Sequence, residues 1–286
     1  MPKDIARRYH SIIVTPAIRD KHEKVKLAIF KQMWKYLSND YAIIYVAEPD
    51  PTKVVQQISK VAAVLAPAGE NEIENYIASG ALTVISRNEF FSPSNTNQLD
   101  IHKLTSSFHS LVLEVQNQSI RKGVVAIGDP SILCEAADGH RHIKLTQYES
   151  AIGREFAKPL ETICWYSNPE IVSKMSFSDL VILINAHHST IHSHWLYREW
   201  RPHDITAQVK EGMDRMLGKG TANLIFKTLK LVYKIDPEKA IISRPEIFEE
   251  KIRKIMGDSV AELLFEVLAD AMRKEMSFDR IAQLHY

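Results

Sequence analysis

The chain has 286 residues, with 36 lysines and arginines against 35 aspartates and glutamates and a formal net charge of +1. Hydrophobic residues at 45% and charged residues at 25% exclude a mainly disordered or fibrous chain, and the balanced charge excludes a global field that would draw it onto nucleic acid or an anionic membrane. The two cysteines, Cys134 and Cys164, lie in apolar contexts without CxxC spacing and read as buried thiols. The N-terminal stretch has only a four-residue apolar run, too short for a signal-peptide core, and no stretch reaches the roughly 20 apolar residues of a membrane span. A cytoplasmic location with no membrane partner is expected.

Taken in order, short β-branched runs alternate with helical patterns up to about residue 195. HSIIVT (His10 to Thr15) is followed by KVKLAIFKQMWKYL, YAIIYVA, PTKVVQQISKVAAVL and ALTVIS. The alternation continues through LTSSFHSLVLEVQNQS, GVVAIG, a helix near KLTQYESAIGREF, the strand LETICWYS and the helix FSDLVILINAHH. Near-continuous apolar strands between amphipathic helices indicate a doubly wound α/β fold, with a mostly parallel sheet covered on both faces. Ligands of such sheets bind beyond the carboxyl ends of the strands. The candidate ligand-binding residues are therefore Thr15 and Asp20 after the first strand, Glu48 after the second, and Asp129 and Glu135 after the fourth. The same residue types also serve turns and helix N-caps.

From about residue 205 the strand signal disappears and the pattern is helical. Met213 to Tyr233 aligns with Ile252 to Met272 at an offset of 39 residues, matching Gly218 with Gly257, Ala222 with Ala261, Leu224 with Leu263, Phe226 with Phe265 and Leu229 with Leu268. Each copy reads as a short amphipathic helix, a glycine suited to a left-handed C-cap and a longer helix. Phe226 and Phe265 are expected to be buried in one shared core. The expected division is an α/β domain over 1–198 and an all-α domain over 199–286.

The order of elements in residues 9 to 195 resembles the MEDS domain, named for methanogen and methylotroph proteins and the dichloromethane-responsive regulator DcmR. The likeness rests on HSIIVT, AIIYVAEPDP, SGALTVIS, FFSPSNTNQLD, GVVAIGDPS, the QYES helix and ETICWYS, ending at INAHH. Family members often continue through a His-Pro and a glycine-rich strand, whereas here His187 and His188 run into STIHSHWLYREW. The resemblance implies an archaeal or bacterial sensory protein with a RecA/KaiC-like sheet. A P-loop needs GxxxxGK[ST], but TPAIRDKH after the first strand has no glycine and no Lys-Ser or Lys-Thr pair. Glu48, followed by Pro49, and Asp129 stand near where the related ATPases keep catalytic acids. Without a phosphate cradle, the resemblance implies ligand sensing rather than hydrolysis.

His187, His188, His192 and His194 lie within eight residues. On a helix His188 and His192 would share a face at metal-ligand spacing, but two ligands fall short of a zinc site, and surface or interface histidines are the reading kept. WLYREWRPHD is read as glue between the two segments, with Arg198 and Arg201 pairing acids across the seam. No nucleophile arrangement is found, so no catalytic residue and no cofactor is assigned. Residues 206–286 carry 14 basic and 13 acidic side chains, which argues against DNA binding. The expected function is a non-enzymatic sensor or regulator that binds a small molecule or regulatory protein and signals through its helices, with a homodimer among the expected partners. The alternatives are an assembly protein without a small-molecule ligand and a residual ATPase-like enzyme.

Overall fold

The computed structural model describes residues 9–16, 21–46, 48–66, 69–91, 100–118, 120–131, 133, 148–149, 152 and 159–279. Its centre is a seven-stranded sheet in the order β3-β2-β4-β5-β1-β6-β7. The strands are β1 (Tyr9–Val14), β2 (Tyr41–Val46), β3 (Leu82–Val84), β4 (Gly123–Gly128), β5 (Leu160–Tyr166), β6 (Ser189–His192) and β7 (Leu196–Glu199). All neighbours run parallel except the β6–β7 pair, which is antiparallel.

The two-residue period of the strands divides the core into two faces. Ile13, Ile43, Tyr45, Val125, Ile127, Ile163 and Trp165 point to one. There they meet α1 (Lys21–Ser38), α2 (Pro51–Leu65) and α3 (Gly69–Ala78). Ile12, Val14, Ala42, Ile44, Val124, Ala126, Cys164 and Tyr166 point to the other face. It is covered by α5 (Ile101–Gln118), preceded by the short α4 (Arg87–Phe90), and by α7 (Phe177–Ala186), preceded by α6 (Pro169–Ser173). The helices start where polar side chains satisfy their free N–H groups. Asp50 accepts from the N–H groups of Thr52 and Lys53 at α2, and Ser176 and Asp179 form a reciprocal capping box at α7.

Beyond β7 the chain is helical: α8 (Pro202–Leu217), α9 (Lys219–Leu231), α10 (Pro237–Ser243), α11 (Pro245–Met256) and α12 (Asp258–Met276). The internal repeat is structural. Ala222 and Ala261 are both buried, as are Leu229 and Leu268, while Leu224 and Leu263 are 64% and 61% exposed. Gly218 and Gly257 adopt φ 79°, ψ 145° and φ 81°, ψ 156°. This is not the expected left-handed helical cap; it is an extended positive-φ conformation essentially restricted to glycine. Phe226 and Phe265 do not stack on each other. Each contacts Phe248, at ring-centroid distances of 6.4 and 6.2 Å, and Phe265 also meets Phe177 of α7 at 5.2 Å. Phe265 is buried as expected, but Phe226 is only partly so, with the Lys210 ammonium near its ring.

The boundary at residues 198 and 199 separates sheet from helices in sequence, yet one continuous core runs from the sheet through α7 into α8–α12. The seam follows the expectation for Arg198 and departs from it for Arg201. Trp200 is buried and donates to Thr190 Oγ1 at 2.5 Å, with the Arg198 guanidinium over its ring. Arg198 pairs with Glu275 of α12, whereas Arg201 reaches only the nearby, exposed Glu199. After α12 the chain returns to the sheet: Ser277 bridges Val14, and Phe278, itself buried, donates its N–H to the Val14 carbonyl.

Truncating Phe265 to Ala is expected to cost about 3–5 kcal/mol, the range for a buried aromatic, and Phe226→Ala distinctly less because its ring is half-exposed. Gly257→Ala should cost about 1–3 kcal/mol of backbone strain. Urea unfolding of the three variants beside the parent checks this ranking.

Candidate functional site

The carboxyl ends of β1, β2 and β4 carry three of the five residues singled out from the sequence. Asp129, fully buried, receives the Arg87 guanidinium at 3.0 Å, the Ser131 backbone N–H at 3.1 Å and the Ser167 hydroxyl. Burial raises its carboxyl above the ordinary range, against the opposing pull of Ser131, Ser167 and Arg87. Thr15 is buried and its hydroxyl accepts from the Trp165 indole at 3.0 Å. Glu48 pairs with Lys26 at 3.1 Å. Each of these polar groups is thus engaged by a partner of its own. Asp20 and Glu135, with Cys134, His140 and His142, lie outside the described residues.

His188 and His192 do not share a helix face. The chain from Ser189 to His192 is strand β6, His188 is exposed, and buried His192 places its Nδ1 2.9 Å from the Ser277 carbonyl. Consecutive strand residues point to opposite faces and the rise per residue is about 3.3 Å, so i, i+4 spacing does not bring their rings together.

A different group of side chains converges inside the protein. His10 of β1, Glu149, Cys164 of β5 and His187 are all buried, and one donor atom from each lies within 4.8 Å of all the others. The register explains the first pair: Ile12 faces Cys164 and His10 faces Thr162, so His10 and Cys164 sit diagonally on one face of adjacent strands. His187 is delivered by the end of α7, where its backbone N–H closes on the Ile184 carbonyl. Glu149 follows Tyr148, whose buried ring packs edge-on against Phe91.

The carboxylate is the hub. Glu149 Oε2 is 3.1 Å from His10 Nε2, 3.4 Å from His187 Nε2 and 3.1 Å from the Cys164 thiol, while Oε1 accepts from the Tyr166 hydroxyl at 2.6 Å. His10 Nε2 is also 3.3 Å from Cys164 Sγ. Both imidazoles are oriented from behind, His10 Nδ1 lying 2.7 Å from the Ala186 carbonyl and His187 Nδ1 2.7 Å from that of Leu183. A carbonyl only accepts, so each Nδ1 carries the proton and each Nε2 is turned toward the cluster. Burial, aided by nearby His187, lowers the His10 pKa toward the neutral ring. Burial alone would raise the Glu149 carboxyl, but His187 and His10, which act on it as protonated imidazoles, outweigh it and hold the group well below the usual carboxylate range. Burial, reinforced by Glu149, pushes the Cys164 thiol up.

Beside this cluster lies a small apolar cavity of about 20 Å³, bounded by Ile44, Phe91, Phe108, Tyr148, Ile152 and Cys164. Cys164 therefore borders both features. The buried-thiol reading of Cys164 is correct; of the other three only His187 stands out in the sequence, as one of the His187–His194 group read as surface or interface histidines, and it is buried instead. The available signal was polar residues in core phase: a histidine opening an apolar strand, an acid in the QYES segment and a histidine ending an apolar helix.

Comparison of the chain with family models, with curated proteins and with solved structures gives no match.

Because the folded protein holds the Asp129 proton more tightly than the unfolded chain, this group makes stability fall as pH rises through and above the ordinary carboxylate range. Asp129→Asn is expected to flatten that component of the profile. Urea midpoints measured from pH 3 to pH 7, in steps of about one unit, on both proteins check the sign.

Proposed function

We propose that this protein is a non-enzymatic sensor or regulator with a MEDS-like, RecA-type sheet, and that it recognises a small, weakly polar molecule in the cavity bounded by Phe91, Phe108, Tyr148 and Cys164. The observation that carries the reading is the cavity itself, an apolar space at the sheet face with room for about one water-sized group. Apolar walls favour a ligand of few heavy atoms that gives up little hydration, and the Cys164 sulfur supplies a polarisable contact. The likeness of the sequence elements to a sensory domain agrees with this assignment.

Nucleotide chemistry is the less favoured reading. The loop TPAIRDKH lacks the P-loop residues, Asp129 is occupied by Arg87, and Ser277 and Phe278 are paired with Val14 at the end of β1. The signal would pass to the helices through the continuous core. Val260, Leu263 and Val267 form an exposed apolar row on α12, with Leu224 and Leu231 exposed on α9, and this supports a homodimer or a regulatory partner at the helices.

Methyl NMR of Ile44 and Ile152 during titration with short haloalkanes and alcohols tests the sensing site. Saturable shifts at both residues, lost when Phe108→Trp fills the space, are expected. Absence of shifts in the parent protein would remove the small-molecule reading. Calorimetry with Mg·ATP is expected to show no binding; micromolar affinity, about −8 kcal/mol, would restore the ATPase alternative.

A further inference from the structure

We propose that His10, Glu149, Cys164 and His187 form a closed four-ligand site for a divalent transition-metal ion of the zinc class. The proposal is independent of whether the neighbouring cavity takes a ligand.

The donor spacing is the first support. Zinc bonds of about 2.0–2.1 Å to nitrogen, about 2.0–2.2 Å to oxygen and about 2.3 Å to sulfur, arranged tetrahedrally, place ligand atoms about 3.3–3.6 Å from one another. The observed His10–Glu149, His187–Glu149, Cys164–Glu149 and His10–Cys164 separations are 3.1, 3.4, 3.1 and 3.3 Å. Those are four of the six edges; the other two, from His187 to His10 and to Cys164, lie within 4.8 Å, so enclosing one ion draws His187 inward toward the other three donors.

The second support is the outer shell. Metal-bound histidines characteristically donate their other ring N–H to a carbonyl or carboxylate, and both imidazoles here do so, to Ala186 and Leu183. Tyr166 holds Glu149 Oε1, leaving Oε2 for the ion. His187 Nε2 is buried and makes no hydrogen bond, with Glu149 Oε2 lying 3.4 Å away. A buried polar atom without a hydrogen bond is destabilising; coordination removes that penalty.

Charge is the third. A dication bound by one thiolate, one carboxylate and two neutral imidazoles is a neutral unit, which is what a site without solvent requires. Binding displaces the Cys164 thiol proton to solvent as the sulfur–metal bond forms, with no redox change. With four protein ligands and no open position, the site is of the structural kind. It would fasten β1, β5, the Tyr148–Glu149 segment and the end of α7 to one another.

The test is metal analysis of the full chain purified from zinc-supplemented cells, followed by replacement with cobalt(II). About one zinc per chain is expected, with intense visible cobalt bands of four-coordination and a near-ultraviolet thiolate-to-cobalt absorption. The chain has two cysteines, so Cys134→Ser should keep the thiolate band and Cys164→Ser should lose it; His187→Gln should weaken cobalt binding at least tenfold. If Cys164→Ser fails to fold, the parent and Cys134→Ser spectra decide between the cysteines. Zinc well below stoichiometry together with no cobalt spectrum in the parent overturns the proposal. So does a thiolate band that survives Cys164→Ser or disappears in Cys134→Ser.

Discussion

A carboxylate with no access to water sits against the central strands, and the surrounding structure is arranged around it. Glu149 could be left ionised there only if polar partners reached it from several elements at once. They come from β1, β5 and the end of α7, so segments separated by up to 177 residues in the chain must reach their final positions together. Shifting β1 by one residue against β5 would turn His10 to the opposite face and replace its imidazole beside the carboxylate by Tyr9 or Ser11. The cluster thus ties strand register to the placement of a helix end. Whatever ion or proton occupies it becomes part of the fold.

Two of the sets of polar residues described on this sheet obey different constraints. Those past the strand ends, Asp129, Glu48 and Thr15, are satisfied by nearby partners of opposite charge or complementary hydrogen bonding. The cluster on the face instead brings imidazole nitrogens and a thiol around one carboxylate inside an apolar core. The usual rule for open α/β sheets directs attention to the first set. The geometry gives the second set more chemical capacity, and Cys164 links it to the adjoining cavity.

Much of the architecture was readable from periodicity. The runs HSIIVT, AIIYV, GVVAIG and LETICWY are strands because they are apolar on both faces, and the helical repeat is visible because its buried alanines and leucines recur at the same offset. The β6–β7 hairpin was hidden: STIH and LYRE are four residues each, and two histidines and two serines mask their period. Post-strand candidates could be read from local position alone. Residues 10, 149, 164 and 187 share no spacing motif, since strand order, register and the end of α7 bring them together, and none of these is encoded locally. Continuity of the core across residue 199 was equally invisible, because the face that α7 offers to Phe248 and Phe265 looks in sequence like any buried helix.

The return of the chain to β1 after α12 gives the molecule a mechanical property. Val14 is held by Ser277 and Phe278 at one end of the strand that carries His10 near its other end. A parallel strand braced by β5 and β6 resists bending, so a displacement of α12 along its axis is passed along β1 as a tug rather than absorbed in a loop. The end of the helical segment and the buried histidine are thereby seated on the same six-residue strand, so one strand position has to satisfy both.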